Sequence, residues 1–193
     1  MLYPHTKRVF LSPATEENIN LLWQWRNSNS FRGLCSNRQD TLSLEEFSQE
    51  LVGDNKRDRH EQYIICRTKD KLPVGTIFSY NYNSTHGYLS VTTYINDRYV
   101  SHGYGVEAFL LFGAYLFLTY DLYKIYTEVY AYNENSLKIM LKAGFKEEGR
   151  FRGHRLHNGS RSDLIRLAFF QEDIGPQLEW LKKLGSYIED CLS

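Results

Sequence analysis

Neither sign of charge prevails in this chain: 23 lysines and arginines offset 23 aspartates and glutamates, for a formal net charge of zero. No global field therefore draws it toward nucleic acid or an anionic membrane, and any anion must be held by local geometry. Cysteines are scarce, at Cys35, Cys66 and Cys191. Odd in number and far apart, they make neither a disulfide framework nor a metal pattern, and a reducing cytoplasm suits them. The chain has no Cys/His cluster, no Gly-Lys-Ser/Thr and no serine beside an evident His and acid, which removes zinc, P-loop and triad readings. No apolar run is long enough to span a membrane, which takes about 20 residues. The start, MLYPHTKRVF, lacks the apolar segment of a signal peptide. With no Pro-, Gly- or Ser-rich linker, repeat or low-complexity tract, the 193 residues read as one domain around one core.

What the chain does hold is a stretch from Val91 to Asp121 around which the rest is arranged. A β-rich run (VTTYI) breaks at Asn96-Asp97, passes through Ser101-His102-Gly103-Tyr104-Gly105 and becomes an apolar helical segment. No charge occurs from Ala108 to Tyr120, which predicts a helix buried on most faces. The first four N–H groups of a helix have no intrahelical partner, and the dipole adds about half a positive charge at that end. A strand, a glycine turn and a helix thus present amides to an anion. Gly103 and Gly105 let a ligand approach the backbone, although the same glycines also suit a tight turn that binds nothing. Residues 124–131 (KIYTEVYA) then read as a second strand, parallel to the first by the crossover rule. Asn133-Glu134-Asn135-Ser136, a short helix and Gly144-Phe145 follow.

Together, YVSHGYGVEA and NENSLKIMLKAGFKEEG resemble two successive motifs of the GNAT superfamily of N-acetyltransferases, the acyl-CoA pyrophosphate loop and the segment after it. The likeness covers residues 7–171, and the Asn-x-x-Ser…Gly-Phe…Glu-Gly form is similar to the ribosomal-protein alanine N-acetyltransferases. The resemblance implies an α/β fold with a mixed sheet of about seven mostly antiparallel strands and helices on both faces. One parallel pair would splay to admit the pantetheine arm of acetyl-CoA, the co-substrate, and no metal is implied. The family loop, often Gln/Arg-x-x-Gly-x-Gly/Ala, falls on Val100-Ser101-His102-Gly103-Tyr104-Gly105. Both glycines match; Val100 replaces the leading polar residue, which the amides can make good. His102 adds charge only when protonated. The oxyanion would be held by a backbone N–H of the preceding strand, at Tyr94 or Ile95.

The resemblance also assigns candidate chemistry. Asn133 becomes a cofactor contact, and as a residue it is equally a helix N-cap with Ser136 at the third helical position. Where many relatives carry a tyrosine that reprotonates the departing thiolate, this chain has Met140, which cannot donate. Ser136 is then the candidate acid, and a thiolate of pKa about 8.5 needs only modest help. A glutamate that often serves as base in relatives aligns with Ser90, leaving Glu128, Glu148 and Asp163 as candidates, or a chain of waters. Asp163 belongs to an Asn-Gly-x-x-x-Asp pattern similar to one in the ribosomal-protein subgroup; its plainer role is a hairpin salt bridge. Trp25-Arg26-Asn27 falls where the superfamily builds its acceptor wall, and is equally a core Trp beside a surface Arg. An α-amine of pKa near 8 is partly neutral already and makes little demand on a base.

Around these motifs, residues 7–12, 62–68, 74–82 and 86–95 read as strands, the last three as an antiparallel meander. Thr15 caps a helix striped by Ile19, Leu22 and Trp23, and residues 28–42 read as a loop. Ser43-Leu44-Glu45-Glu46 is a capping box. Residues 145–156 and 160–170 flank His157-Asn158-Gly159, a strong hairpin signal. Residues 1–175 make up the acetyltransferase-like domain. Residues 176–193 form a helix striped by Leu178, Leu181, Leu184, Ile188 and Cys191, which docks on that domain or on a second copy; Trp180 and Tyr187 widen its apolar surface toward a homodimer. The expected activity is acetyl transfer from acetyl-CoA to a primary amine, on a protein N-terminus or a small molecule, by direct attack. An aminosugar or polyamine acceptor is the alternative. So is a non-catalytic acyl-CoA-binding domain, which Met140 and Ser90 would favour.

Overall fold

Seven strands assemble as one sheet. The computed structural model describes residues 4–55 and 61–186, apart from the side chains of residues 52–55. Across the sheet run β1 (Val9–Pro13), β2 (Gln62–Arg67), β3 (Pro73–Asn83), β4 (Tyr88–Ile95) and β5 (Lys124–Tyr130), then β7 (Ser160–Phe170) and β6 (Lys146–His157) at the edge. Every neighbouring pair is antiparallel except β4 and β5, which are parallel as the crossover rule requires. The β6–β7 hairpin turns at Asn158 and Gly159 with φ of 49° and 78°, the two positive values that an Asn-Gly turn supplies.

The crossover is α4 (Tyr104–Thr119). Its uncharged run explains its place: Phe109, Leu111, Phe112 and Leu116 are all but fully buried. Each such side chain contributes about 1.5–3 kcal/mol over an exposed one. On the same face lie α5 (Glu134–Lys142), through Met140, and α6 (Gly175–Lys183), through Leu181. The opposite face carries a second core, built by α1 (Ile19–Arg26), α2 (Asn29–Leu34) and α3 (Leu44–Asn55). The capping box of α3 forms as expected: the Ser43 amide donates to Glu46 Oε2 at 2.7 Å and the Glu46 amide to Ser43 Oγ at 3.2 Å.

Two expectations need correction. Residues 28–42 are not all loop, because Ser28 caps α2 by accepting from the Phe31 amide at 3.1 Å. The C-terminal helix ends at Lys183, with Leu184 as its cap, instead of running to 192. Leu181 is fully buried in the core, so this helix docks on its own chain. Tyr187, Ile188 and Cys191 lie outside the described residues. No helix among the described residues is long and apolar enough to cross a membrane.

Candidate active site

The parallel seam is short. Residues Tyr88, Leu89 and Ser90 pair with Lys124, Ile125 and Tyr126, and there the pairing stops. Beyond it β4 pairs with β3 alone as far as Ile95, and β5 with β7 alone as far as Tyr130. The two strands therefore diverge and leave a gap in the middle of the sheet. The Asn96 amide donates to the Val74 carbonyl on the β3 side at 2.9 Å. Strand alternation then turns the Ile95 amide the other way, into the gap. Tyr94 faces β3 with its main chain, while its ring packs on Trp25 and Phe31 at 6.0 and 5.2 Å.

The gap opens onto the start of α4. Gly103 is the N-cap at φ 79°, and having no side chain it leaves the first-turn amides uncapped. A Cβ on Gly105 would lie 3.1 Å from Ile95 Cγ1, so this glycine lets the helix start close against β4. Ser101 also has positive φ, at 73°. His102 folds away from the gap: its Nδ1 lies 3.1 Å from the Val100 carbonyl and its ring stacks on Tyr104. A brace invisible in the sequence comes from Arg8, which donates to the His102 carbonyl at 2.5 Å and reaches Glu107 Oε2 at 3.1 Å. Glu107 is a buried carboxylate in the first turn of α4, and Arg8 sets a cation beside it; Thr6 Oγ1 donates to its other oxygen.

A cavity of about 920 Å³ runs from this loop through the gap to α1 and α2. Tyr94, Ile95, Val100, Ser101, Gly103, Tyr104, Gly105, Asn133, Ser136 and Arg26 all line it. Trp25, Asn27, His102 and Asp163 do not. Asn133 lines the cavity and caps α5 by accepting from the Ser136 amide at 3.3 Å. Met140, where a tyrosine was looked for, is buried in the wall.

At the α1 end of the cavity the three residues of Trp25-Arg26-Asn27 part company. Trp25 is core. Asn27 ties the α2–α3 loop, donating to the Leu42 carbonyl at 2.8 Å and accepting from its amide at 2.9 Å. Arg26 turns into the cavity, where burial lowers its pKa against the opposing pull of Glu50 and Asp40. The wall is held down from the far edge of the sheet by Arg155, another residue the sequence did not single out. Its NH1 donates to the Ser36 carbonyl at 2.5 Å and the Tyr130 hydroxyl at 2.6 Å, and its NH2 donates to the Arg32 carbonyl at 2.6 Å.

The candidate bases separate as clearly. Asp163 sits in the β6–β7 hairpin; the Gly153 amide and Arg150 hold its carboxyl below the usual range, which makes it a poor proton acceptor. Glu148 is bound by Lys124 at 2.9 Å and does not line the cavity. Glu128 does line it, with Arg166 donating to Oε1 at 2.6 Å. Ser90 is the last β4 residue paired with β5.

Residues 8–146 match the family model described as Acetyltransferase (GNAT) domain. Spermidine N(1)-acetyltransferase of Escherichia coli is 25% identical over 168 residues, 87% of this chain and 89% of that protein. The uncharacterized N-acetyltransferase YnaD of Bacillus subtilis is 32% identical over 109 residues, 56% of this chain and 63% of YnaD. The chain thus spans under two thirds of YnaD's length. Among solved structures, spermidine N-acetyltransferase from Vibrio cholerae in complex with CoA and spermine superposes with a TM-score of 0.80. At 17% identity over 86% of this chain and 98% of that one, this likeness speaks for the fold. The ribosomal-protein alanine subgroup suggested by Asn-x-x-Ser is not what these relatives are.

Proposed function

The chain belongs to the GNAT acetyltransferase family, and on that premise we propose that it transfers the acetyl group of acetyl-CoA to a primary amine by direct attack. The observation that carries this reading is the gap between β4 and β5, which opens onto the uncapped first turn of α4. The amides after Gly103 suit a pyrophosphate, and the gap suits a narrow extended arm. Acetyl-CoA supplies the activated acetyl thioester. The Ile95 N–H donates to the thioester oxygen as negative charge develops there. Ser136 gives its hydroxyl proton to the departing thiolate while taking one from water, so that no alkoxide is left. Proton loss from the amine runs through water to Glu128, which alone of the three carboxylates considered lines the cavity. Arg166 holds that carboxylate in place, donating to its Oε1 at 2.6 Å.

A polyamine acceptor is the second reading, and what favours it is the naming of the E. coli and V. cholerae relatives. Against it, the acceptor-side carboxylates Glu50 and Glu128 are already paired with arginines. The test is calorimetry with acetyl-CoA together with CoA release across a panel of primary amines that includes spermidine. Absence of acetyl-CoA binding by the folded protein ends the proposal.

A further inference from the structure

A cation with no ion pair of its own among the described residues stands in the cavity wall. Arg26 is 8% exposed, and its NH1 has no hydrogen-bond partner among the described residues. No hydrogen bond or ion pair reaches its guanidinium there; it lies over the Phe31 ring, 5.9 Å from the centroid. Of the neighbouring arginines, Arg32 also has a buried Nε without a partner but does not line the cavity, and Arg38 is ion-paired. Arg32 donates to the Gln39 carbonyl and to Asn29 Oδ1, both at 2.7 Å, and Arg38 pairs with Asp40 at 3.0 Å and Glu50 at 3.5 Å. Glu50 and Asp40, the carboxylates whose pull reaches Arg26, are both ion-paired with Arg38.

Taking a guanidinium out of water without a partner is costly, and an arginine keeps its charge at any physiological pH. Such a site is completed by whatever enters the cavity. A second cation would be repelled there, and a neutral carbonyl would leave the charge uncompensated. A carboxylate matches both the charge and the planar fork of donors. We propose that the acceptor amine carries a carboxylate, which Arg26 binds while the amine reaches the gap. This rests on the N-acetyltransferase reading and names its substrate class.

The test compares 4-aminobutyrate, 4-aminobutanamide and putrescine, which present carboxylate, amide and ammonium on the same chain length. CoA release should favour 4-aminobutyrate by about 10-fold or more in kcat/KM, since a site built to bond a group rejects the analogue lacking it. Arg26→Gln should erase that preference, and Arg26→Lys should restore part of it. A turnover-free measurement uses the unaltered protein: phenylglyoxal labelling of Arg26, followed by mass spectrometry, should be slowed by butyrate but not by butanamide or butylamine. Equal or better use of putrescine, or labelling that butyrate leaves unchanged, overturns the proposal. If no amine releases CoA while butyrate still protects Arg26, the carboxylate site stands and the acetyltransferase reading is what fails.

Discussion

Asp163 accepts a hydrogen bond from the Gly153 amide at 2.8 Å, across the β6–β7 hairpin and outside the cavity. Gly153 has φ 57° and sits in the bulge where the register shifts between Phe151 and Arg155. The carboxylate thus pins the irregularity that sends Arg155 toward the acceptor wall. That bond, with Arg150 assisting, lowers its pKa below the unfolded value of about 3.9. A depressed carboxylate stabilises the fold above that unfolded value, and the contribution disappears as pH falls through the folded one. Asp163→Asn should leave kcat unchanged and flatten the loss of melting temperature between neutral and acidic pH. A large fall in kcat would return Asp163 to the chemistry.

The glycine loop makes a separate prediction. Gly103→Val forces a branched side chain to φ 79°, at a strain of about 1–2 kcal/mol. Gly105→Ala puts a methyl 3.1 Å from Ile95. Both should weaken acetyl-CoA binding by about 10-fold, equivalent to about 1.4 kcal/mol, in a protein that still folds. Unchanged affinity by calorimetry would reduce the loop to a turn.

Ser136→Ala tests the acid. The Asn133 cap uses the Ser136 amide and not its hydroxyl, so the substitution keeps the helix start. Loss of the proton donor should lower kcat by about 10-fold, the low end for general acids, because a thiolate leaves readily. Acetyl-CoA affinity should hold. A wild-type kcat would leave Ser136 a wall residue.

Arg155→Met keeps the length of the side chain and removes its donors to Ser36, Arg32 and Tyr130. Stability should fall by about 2–3 kcal/mol, the scale for buried hydrogen bonds to a charged group. KM for the amine should rise while acetyl-CoA affinity is kept, because the bonds lost fasten the acceptor wall. A rise in the acetyl-CoA Kd instead would place Arg155 in the wrong half of the cavity.

Legibility followed sequence distance. The capping box at Ser43, the Asn-Gly hairpin and the uncharged α4 are each decided within a few residues, and the structure realises all of them. α2 was missed because a six-residue helix containing Gly33 carries too little apolar periodicity to register. Arg8 and Arg155 were missed for another reason. Their partners lie 94 and 119 residues away, at His102 and Ser36, and no local pattern marks either arginine. Trp25-Arg26-Asn27 was legible as a place but not as three roles, since helical rotation sends neighbouring side chains in different directions. Nothing local shows that Arg26 lacks an ion pair, because that follows from Arg38 taking both Asp40 and Glu50.

With pairing across β4–β5 confined to Tyr88–Ser90 and Lys124–Tyr126, the sheet resembles two leaves of a book on a short spine, with α4 as the strap between them. An extended molecule lodged between the leaves supplies rungs of its own, so substrate loading doubles as structural reinforcement. Amide hydrogen exchange should reveal it: the segment from Val91 to Ile95 slows when acetyl-CoA is added, and β1 and β2, remote from the spine, hardly change.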